Sequence, residues 1–123
     1  MCVFCDILKN KENLIHENEY AFSVYDHYPV TQGHVLIIPK RHIENYFGLN
    51  GIEKTHIDQE IIEVKKILDE KYHPDGYNIG INNGSAAGQT IFHLHIHLIP
   101  RYIGDVDNPQ GGVRGVIPSK QKY

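Results

Sequence analysis

The strictest alternation of apolar and polar positions in this chain runs through Phe92-His93-Leu94-His95-Ile96-His97-Leu98-Ile99. A period of two predicts a β-strand over residues 92–99. Successive side chains of a strand point to opposite faces, so His93, His95 and His97 share one face while Phe92, Leu94, Ile96 and Leu98 share the other. Pro100, which has no N–H to give a ladder, closes the strand. Four further strands follow from the same reasoning. Residues 13–17 and 20–26 read as a pair around a turn at Asn18. Residues 34–39 form a β-branched run ended by Pro39, and residues 77–82 alternate Tyr77, Ile79 and Ile81 with Asn78, Gly80 and Asn82.

The period changes between the third and fourth of these strands. Ile57, Ile61, Val64 and Leu68 fall at i, i+4, i+7 and i+11, which predicts one long helix over residues 51–71. Asn50 with Glu53 makes a capping box at its start, Thr55 being the alternative start, and His73-Pro74-Asp75-Gly76 stops it. Shorter helical turns are expected over residues 3–9 and through Asn45-Tyr46-Phe47. Residues 83–90 form a loop of small residues leading into the histidine strand, and residues 102–123, rich in Gly and Pro, read as an irregular tail. Short turns between strands and one long helix give an α+β fold, an antiparallel five-stranded sheet under a helix. At 123 residues the chain is expected to be one domain, residues 1–100 as core and 101–123 as tail.

Composition narrows the function classes. The net charge of −3 argues against a general nucleic-acid-binding surface, and no apolar run is long enough for a transmembrane helix. Met1-Cys2-Val3-Phe4-Cys5 has neither the charged nor the apolar region of a signal peptide, so a cytoplasmic protein with reduced thiols is expected. The two cysteines stand as Cys-x-x-Cys, which is a redox pair, half of a zinc site, or nothing. A zinc site needs two more ligands, and His16, His34, His42 and His93 are the candidates by spacing.

Nine histidines among 123 residues make an alternating triple rare as chance. Imidazoles also replace good packing residues and must be desolvated and paired, so a functional face outweighs a merely structural one. Along an extended strand His93 and His97 lie about 13 Å apart, and metal–nitrogen bonds are about 2 Å long, so the three do not share one ion. At least one imidazole is free for other chemistry, the middle one being the natural candidate. The loop at Asn83-Gly84-Ser85-Ala86-Ala87-Gly88-Gln89-Thr90 suggests phosphate, because small residues let backbone N–H groups approach an oxyanion. It lacks the glycine–lysine pattern of a P-loop, and no acidic magnesium cluster stands nearby. Covalent attack by a histidine on phosphorus follows as the expected chemistry.

With these residues in place the chain resembles the histidine triad (HIT) family. The segment from His93 to Ile99 matches the triad itself. Residues 31–42, Asn82 and Gly88-Gln89-Thr90 match its flanking blocks. Ala87-Gly88-Gln89-Thr90 and Pro100-Arg101…Gly104-Asp105 resemble the fragile-histidine-triad and diadenosine-polyphosphate-hydrolase branch more than the phosphoramidase branch. The resemblance implies a nucleotide hydrolase or transferase that cleaves AMP–X at the α-phosphate through a nucleotidyl-histidine. A dinucleoside polyphosphate is the first expected substrate and a phosphoramidate the second; a non-catalytic nucleotide-binding protein is the other class. It implies His95 as nucleophile, His97 as phosphate contact and His34 as support. Asn82, Gly88, Gln89 and Thr90 would contact phosphate, Asp26 the ribose, and Phe4, Ile7 and Val24 the base. Cys2, Cys5, His42 and His93 match the ligands of a structural zinc found in some members, and no magnesium requirement is implied. A purine nucleotide and a homodimer partner, with neither nucleic acid nor membrane, complete the expectation. Arg114 in the tail is either a further phosphate contact or solvated.

Overall fold

The structure, a computed structural model, describes residues 2–123. Helix α1 (Val3–Asn10) leads into strands β1 (Leu14–Glu17), β2 (Ala21–Tyr25) and β3 (Val35–Pro39). Helix α2 (Gly51–Tyr72) then crosses to β4 (Gly76–Ile81), and β5 (Ile96–Arg101) returns to the middle of the sheet. The sheet is five-stranded and antiparallel in the order β1-β2-β3-β5-β4. The expected α+β architecture is therefore present.

Period-two patterning sorts the strands onto two faces. Ala21, Val35, Ile37, Ile96 and Leu98 pack beneath Ile57, Val64 and Leu68 of α2, forming the main core with Leu94. Each Val, Ile and Leu side chain among them contributes about 1.5–3 kcal/mol on burial. Phe22, Val24, Leu36 and Ile38 occupy the opposite face, where Phe4 of α1 completes a smaller cluster. β2 and β3 are thus buried on both sides, whereas β5 turns one face to the core and the other to the histidine site.

Helix α2 starts where Asn50 and Glu53 exchange backbone hydrogen bonds in the expected capping box, which settles Asn50 over Thr55. Two acids that the apolar stripe did not reveal are buried beside it. Glu53 takes a bidentate pair of bonds from Arg41 at 2.8 and 2.9 Å. Glu60 is held by His16 Nδ1 at 2.7 Å and accepts from Ser23 Oγ at 2.8 Å, fastening α2 to β1 and β2.

Two expectations need correction. The histidine strand spans Ile96–Arg101, not residues 92–99: Pro100 does not close it but pairs with Tyr77 of β4, and at the other end its ladder partners run out. β4 ends at Ile81, and Pro39 at the end of β3 has no N–H to offer. Residues 93–95 are instead tied to the preceding connection by the Leu94 N–H on the Ile43 carbonyl at 2.7 Å, and Phe92 is exposed rather than part of the core face. The tail is not wholly irregular. It carries 3₁₀ turns at Gly112–Val116 and Pro118–Lys120, and the Arg114 guanidinium clasps the carbonyls of Lys120 and Gln121, so this side chain is spent within the tail.

Candidate active site

The register of the central strands assembles the histidines. Leu36 of β3 and Gly80 of β4 flank His97 of β5, and Val24 of β2 stands opposite Leu36, all on the face away from α2. His34 lies just before β3. The chain arrives there through Gly33 at φ +88°, where a Cβ would stand 2.9 Å from the Tyr72 ring, so only glycine fits this approach.

Hydrogen bonds fix the tautomers along this row. The Val30 N–H donates to His34 Nδ1 at 3.1 Å, which leaves the His34 proton on Nε2. That N–H donates to His97 Nδ1 at 2.9 Å, so the His97 proton sits on Nε2. His95 is set independently. Its Nδ1–H donates to the His93 carbonyl at 2.9 Å, leaving the Nε2 lone pair with no hydrogen bond among the described residues. One imidazole is therefore a ready nucleophile, and its neighbour a ready donor.

Burial favours the neutral forms of His34 and His97. Desolvation, with His95 and His34 as cationic neighbours when charged, pushes His97 down to about 4 against the opposing pull of Asp26. Burial also pushes His34 down, again opposed by Asp26.

Asp26 Oδ2 stands 3.5 Å from His34 Nε2 and 4.0 Å from His97 Nδ1, while Oδ1 accepts from the Tyr28 N–H at 2.8 Å. Asp26, His34 and His97 are close enough to suggest a metal centre, but their chemistry opposes one. His34 Nε2 could act as a ligand only with its proton moved to Nδ1, where it would face the Val30 N–H.

A cleft of about 540 Å³ opens over these groups. Phe4, Ile7 and Val24, the residues expected at a base, form an apolar wall on one side. Asp26, Asn82, Gly88 and Thr90 join His34, His95 and His97 around the rest. The sequence reasoning missed His27, Tyr28 and Val30, which also line it; nothing in the local pattern marked them. Asp26 is the only lining residue with a carboxylate, and no lysine or arginine lines the cleft among the described residues.

Gln89 needs correction. Its amide is buried and committed to the loop: Oε1 accepts from the Gly84 N–H at 2.8 Å, and Nε2 donates to the carbonyls of Glu44 and Ile91 at 2.6 and 3.1 Å. It shapes the loop that presents Gly88 and Thr90, and has no amide atom left for phosphate.

A second constellation lies at the start of α1. Donor atoms of Cys2, Cys5, His42 and His93 all fall within 4.8 Å of one another. Cys2 Sγ and Cys5 Sγ stand 3.2 and 3.5 Å from His93 Nδ1, and Cys5 Sγ stands 3.4 Å from His42 Nδ1. A tetrahedral zinc with its usual bond lengths requires sulfur–nitrogen separations of about 3.5 Å, so the set fits that ion. His93 is prepared for it: the ring donates Nε2–H to the Pro39 carbonyl at 2.8 Å and turns its Nδ1 lone pair to the cysteines. Of the other spacing candidates, His16 is engaged with Glu60 and His34 with His97.

Comparison with known proteins gives a concordant result. The HIT domain matches residues 8–104. A HIT-like protein of Mycoplasma pneumoniae is 37% identical over 82% of this chain and 72% of its own. The adenosine 5′-monophosphoramidase of Candida albicans is 37% identical, covering 81% of this chain and 70% of its own. The bis(5′-adenosyl)-triphosphatase of Dictyostelium discoideum is 33% identical, covering 82% and 68%. Among solved structures, a HIT family protein from Bacillus anthracis superposes with a TM-score of 0.79 at 37% identity, over 85% of this chain and 75% of that one. A zinc-bound histidine triad family protein from Mycobacterium smegmatis gives 0.77 at 36% identity, over 85% and 77%.

Proposed function

The chain belongs to the HIT domain family, and from that premise we propose that it is a nucleotide hydrolase or transferase acting on AMP–X compounds through a nucleotidyl-histidine on His95. The observation that carries this reading is the His95–His93 bond, which leaves the His95 Nε2 lone pair free at a cleft with an apolar wall. In the first step Nε2 attacks the α-phosphorus, the N–P bond forms, and the bond to X breaks. In the second, water or another acceptor attacks the same phosphorus and returns the imidazole. His97 Nε2–H, the Thr90 hydroxyl and the loop at Gly88 are the donors for the charge on the phosphoryl oxygens, with Asn82 beside them. Asp26 accepts from the ribose hydroxyls, and Phe4, Ile7 and Val24 hold a purine.

Dinucleoside polyphosphates and phosphoramidates both suit this chemistry, and the relatives bear names from both sides: a bis(5′-adenosyl)-triphosphatase and an adenosine 5′-monophosphoramidase. One observation favours the second. Among the described residues no lysine or arginine lines the cleft, so a polyphosphate leaving group finds no cationic partner there, whereas a leaving amine needs none.

Cys2, Cys5, His42 and His93 would hold zinc, whose chemistry here is to cross-link the N-terminus to the sheet. The unpaired outer edge of β4, with half-exposed Ile79, supports a homodimer.

The deciding experiment offers the protein diadenosine triphosphate, diadenosine tetraphosphate and AMP-lysine, and traps the intermediate by quenching in alkaline denaturant. An acid-labile AMP adduct on His95 with AMP as product supports the enzyme. Nucleotide binding with neither adduct nor product would make it a binding protein.

A further inference from the structure

We propose that Cys2 and Cys5 form a redox-sensitive latch: reduced, they hold α1 in place as the wall of the nucleotide cleft; joined as a disulfide, they release it and weaken nucleotide binding. The proposal rests on the nucleotide reading of the cleft.

Helix α1 serves two sites at once. Cys2 at its N-cap and Cys5 in its first turn meet His42 and His93, while Phe4 and Ile7 line the cleft. Phe4 bridges the two, its ring edge-on to His93 at 5.8 Å and 5.1 Å from His95. The sulfur contacts tie this helix to residues 37 to 91 positions away in the chain. His93 in turn offers the carbonyl that orients His95. Whatever loosens the cysteines therefore reaches the base wall first.

The sulfurs are accessible. Cys2 and Cys5 are only partly buried, and a cavity of about 410 Å³ reaches Cys2, His42 and His93. Val3, Thr90 and Ile91 line both this cavity and the nucleotide cleft, so the two share a wall.

The oxidant class is a peroxide. One thiolate attacks hydrogen peroxide, the O–O bond breaks, and a sulfenic acid and hydroxide result. The second thiolate attacks that sulfur, the S–S bond forms, and a second hydroxide leaves. Two electrons pass from the sulfurs to the peroxide, and solvent protons convert the hydroxides to water. A disulfide is no longer a thiolate ligand, so any zinc held by the four residues is freed together with His42 and His93.

The test uses the full chain, reduced and loaded with zinc, before and after stoichiometric peroxide. Zinc release is read with a chromogenic chelator, the disulfide by intact mass, the protection of α1 by amide hydrogen exchange, and AMP affinity by calorimetry. The expected result is one zinc released per disulfide, faster exchange over residues 3–10, and AMP affinity about tenfold weaker, the scale of one lost aromatic contact. Thiol reductant with zinc should restore all four. A disulfide-linked, zinc-free protein with unchanged α1 exchange would overturn the latch, as would unchanged AMP affinity. If reduced protein binds no AMP, the nucleotide reading fails instead, and α1 exchange alone then decides the latch.

Discussion

His34 Nε2 and His97 Nδ1 stand 2.9 Å apart, and the proton between them belongs to His34 because the Val30 N–H occupies the opposite ring nitrogen. Protonating His97 would place a second hydrogen in that gap. Burial, and after it the charges that His95 and His34 carry when protonated, hold the folded-state value down to about 4, below the ordinary imidazole value of 6.5, against the pull of Asp26.

The sign of the resulting pH dependence follows. Between pH 6.5 and about 4 the unfolded chain takes up a proton that the folded chain refuses. Stability should be fully present above 6.5 and fall as pH drops through that window, by at most about 3 kcal/mol because the ring is partly exposed. Chemical denaturation at several pH values measures the slope, and His97→Gln should reduce it, leaving the part that the lowered His34 contributes. A His97 resonance titrating near 6.5 in the folded protein would contradict the assignment.

Replacing the nucleophile separates chemistry from binding. His95→Ala should lower turnover by about a thousandfold or more while AMP affinity stays within a few fold. Steady-state kinetics with calorimetry checks both, and near-normal turnover would remove His95 from its role.

The loop amide gives a different signature. Gln89→Ala leaves the Gly84 N–H and the carbonyls of Glu44 and Ile91 without their side-chain partner, at a cost of about 1–3 kcal/mol. Because the loop carries Gly88 and Thr90 to the cleft, KM should rise with the loss of stability. Gln89→Glu keeps one acceptor and should recover only the Gly84 bond.

On the far side of the sheet, the buried Glu60 tests how α2 is fastened. His16→Ala removes one partner of an enclosed carboxylate and should destabilise the fold by about 3 kcal/mol. Glu60→Gln, which removes the charge, should cost less. Melting temperatures compare the two, and turnover at permissive temperature should be near normal in both.

Much of this protein was legible in local pattern. Period two placed Ile96, His97 and Leu98 correctly, and the capping box at Asn50 and Glu53 marked the start of α2. Both are properties of a few consecutive residues, fixed by strand pleat and by helix-end hydrogen bonding. The cleft residues and the Cys2, Cys5, His42 and His93 set were reached through the family resemblance, since spacing left four histidines equally eligible.

What depends on distant partners could not be read that way. The pattern put three histidines on one strand face, yet His93 lies outside the ladder and turns to the cysteines, because β4 and the usable part of β3 end before it. Gln89 looked like a phosphate ligand, and nothing in the helix pattern marked Glu60 as buried. Their partners lie 45, 44 and 37 positions away, at Glu44, His16 and Ser23. Alternation is dictated by each residue's own backbone geometry, so the sequence by itself determined which side chains could share a face. Which ring nitrogen carries the proton depends on what register and turns bring opposite it, and only the tertiary structure decided that.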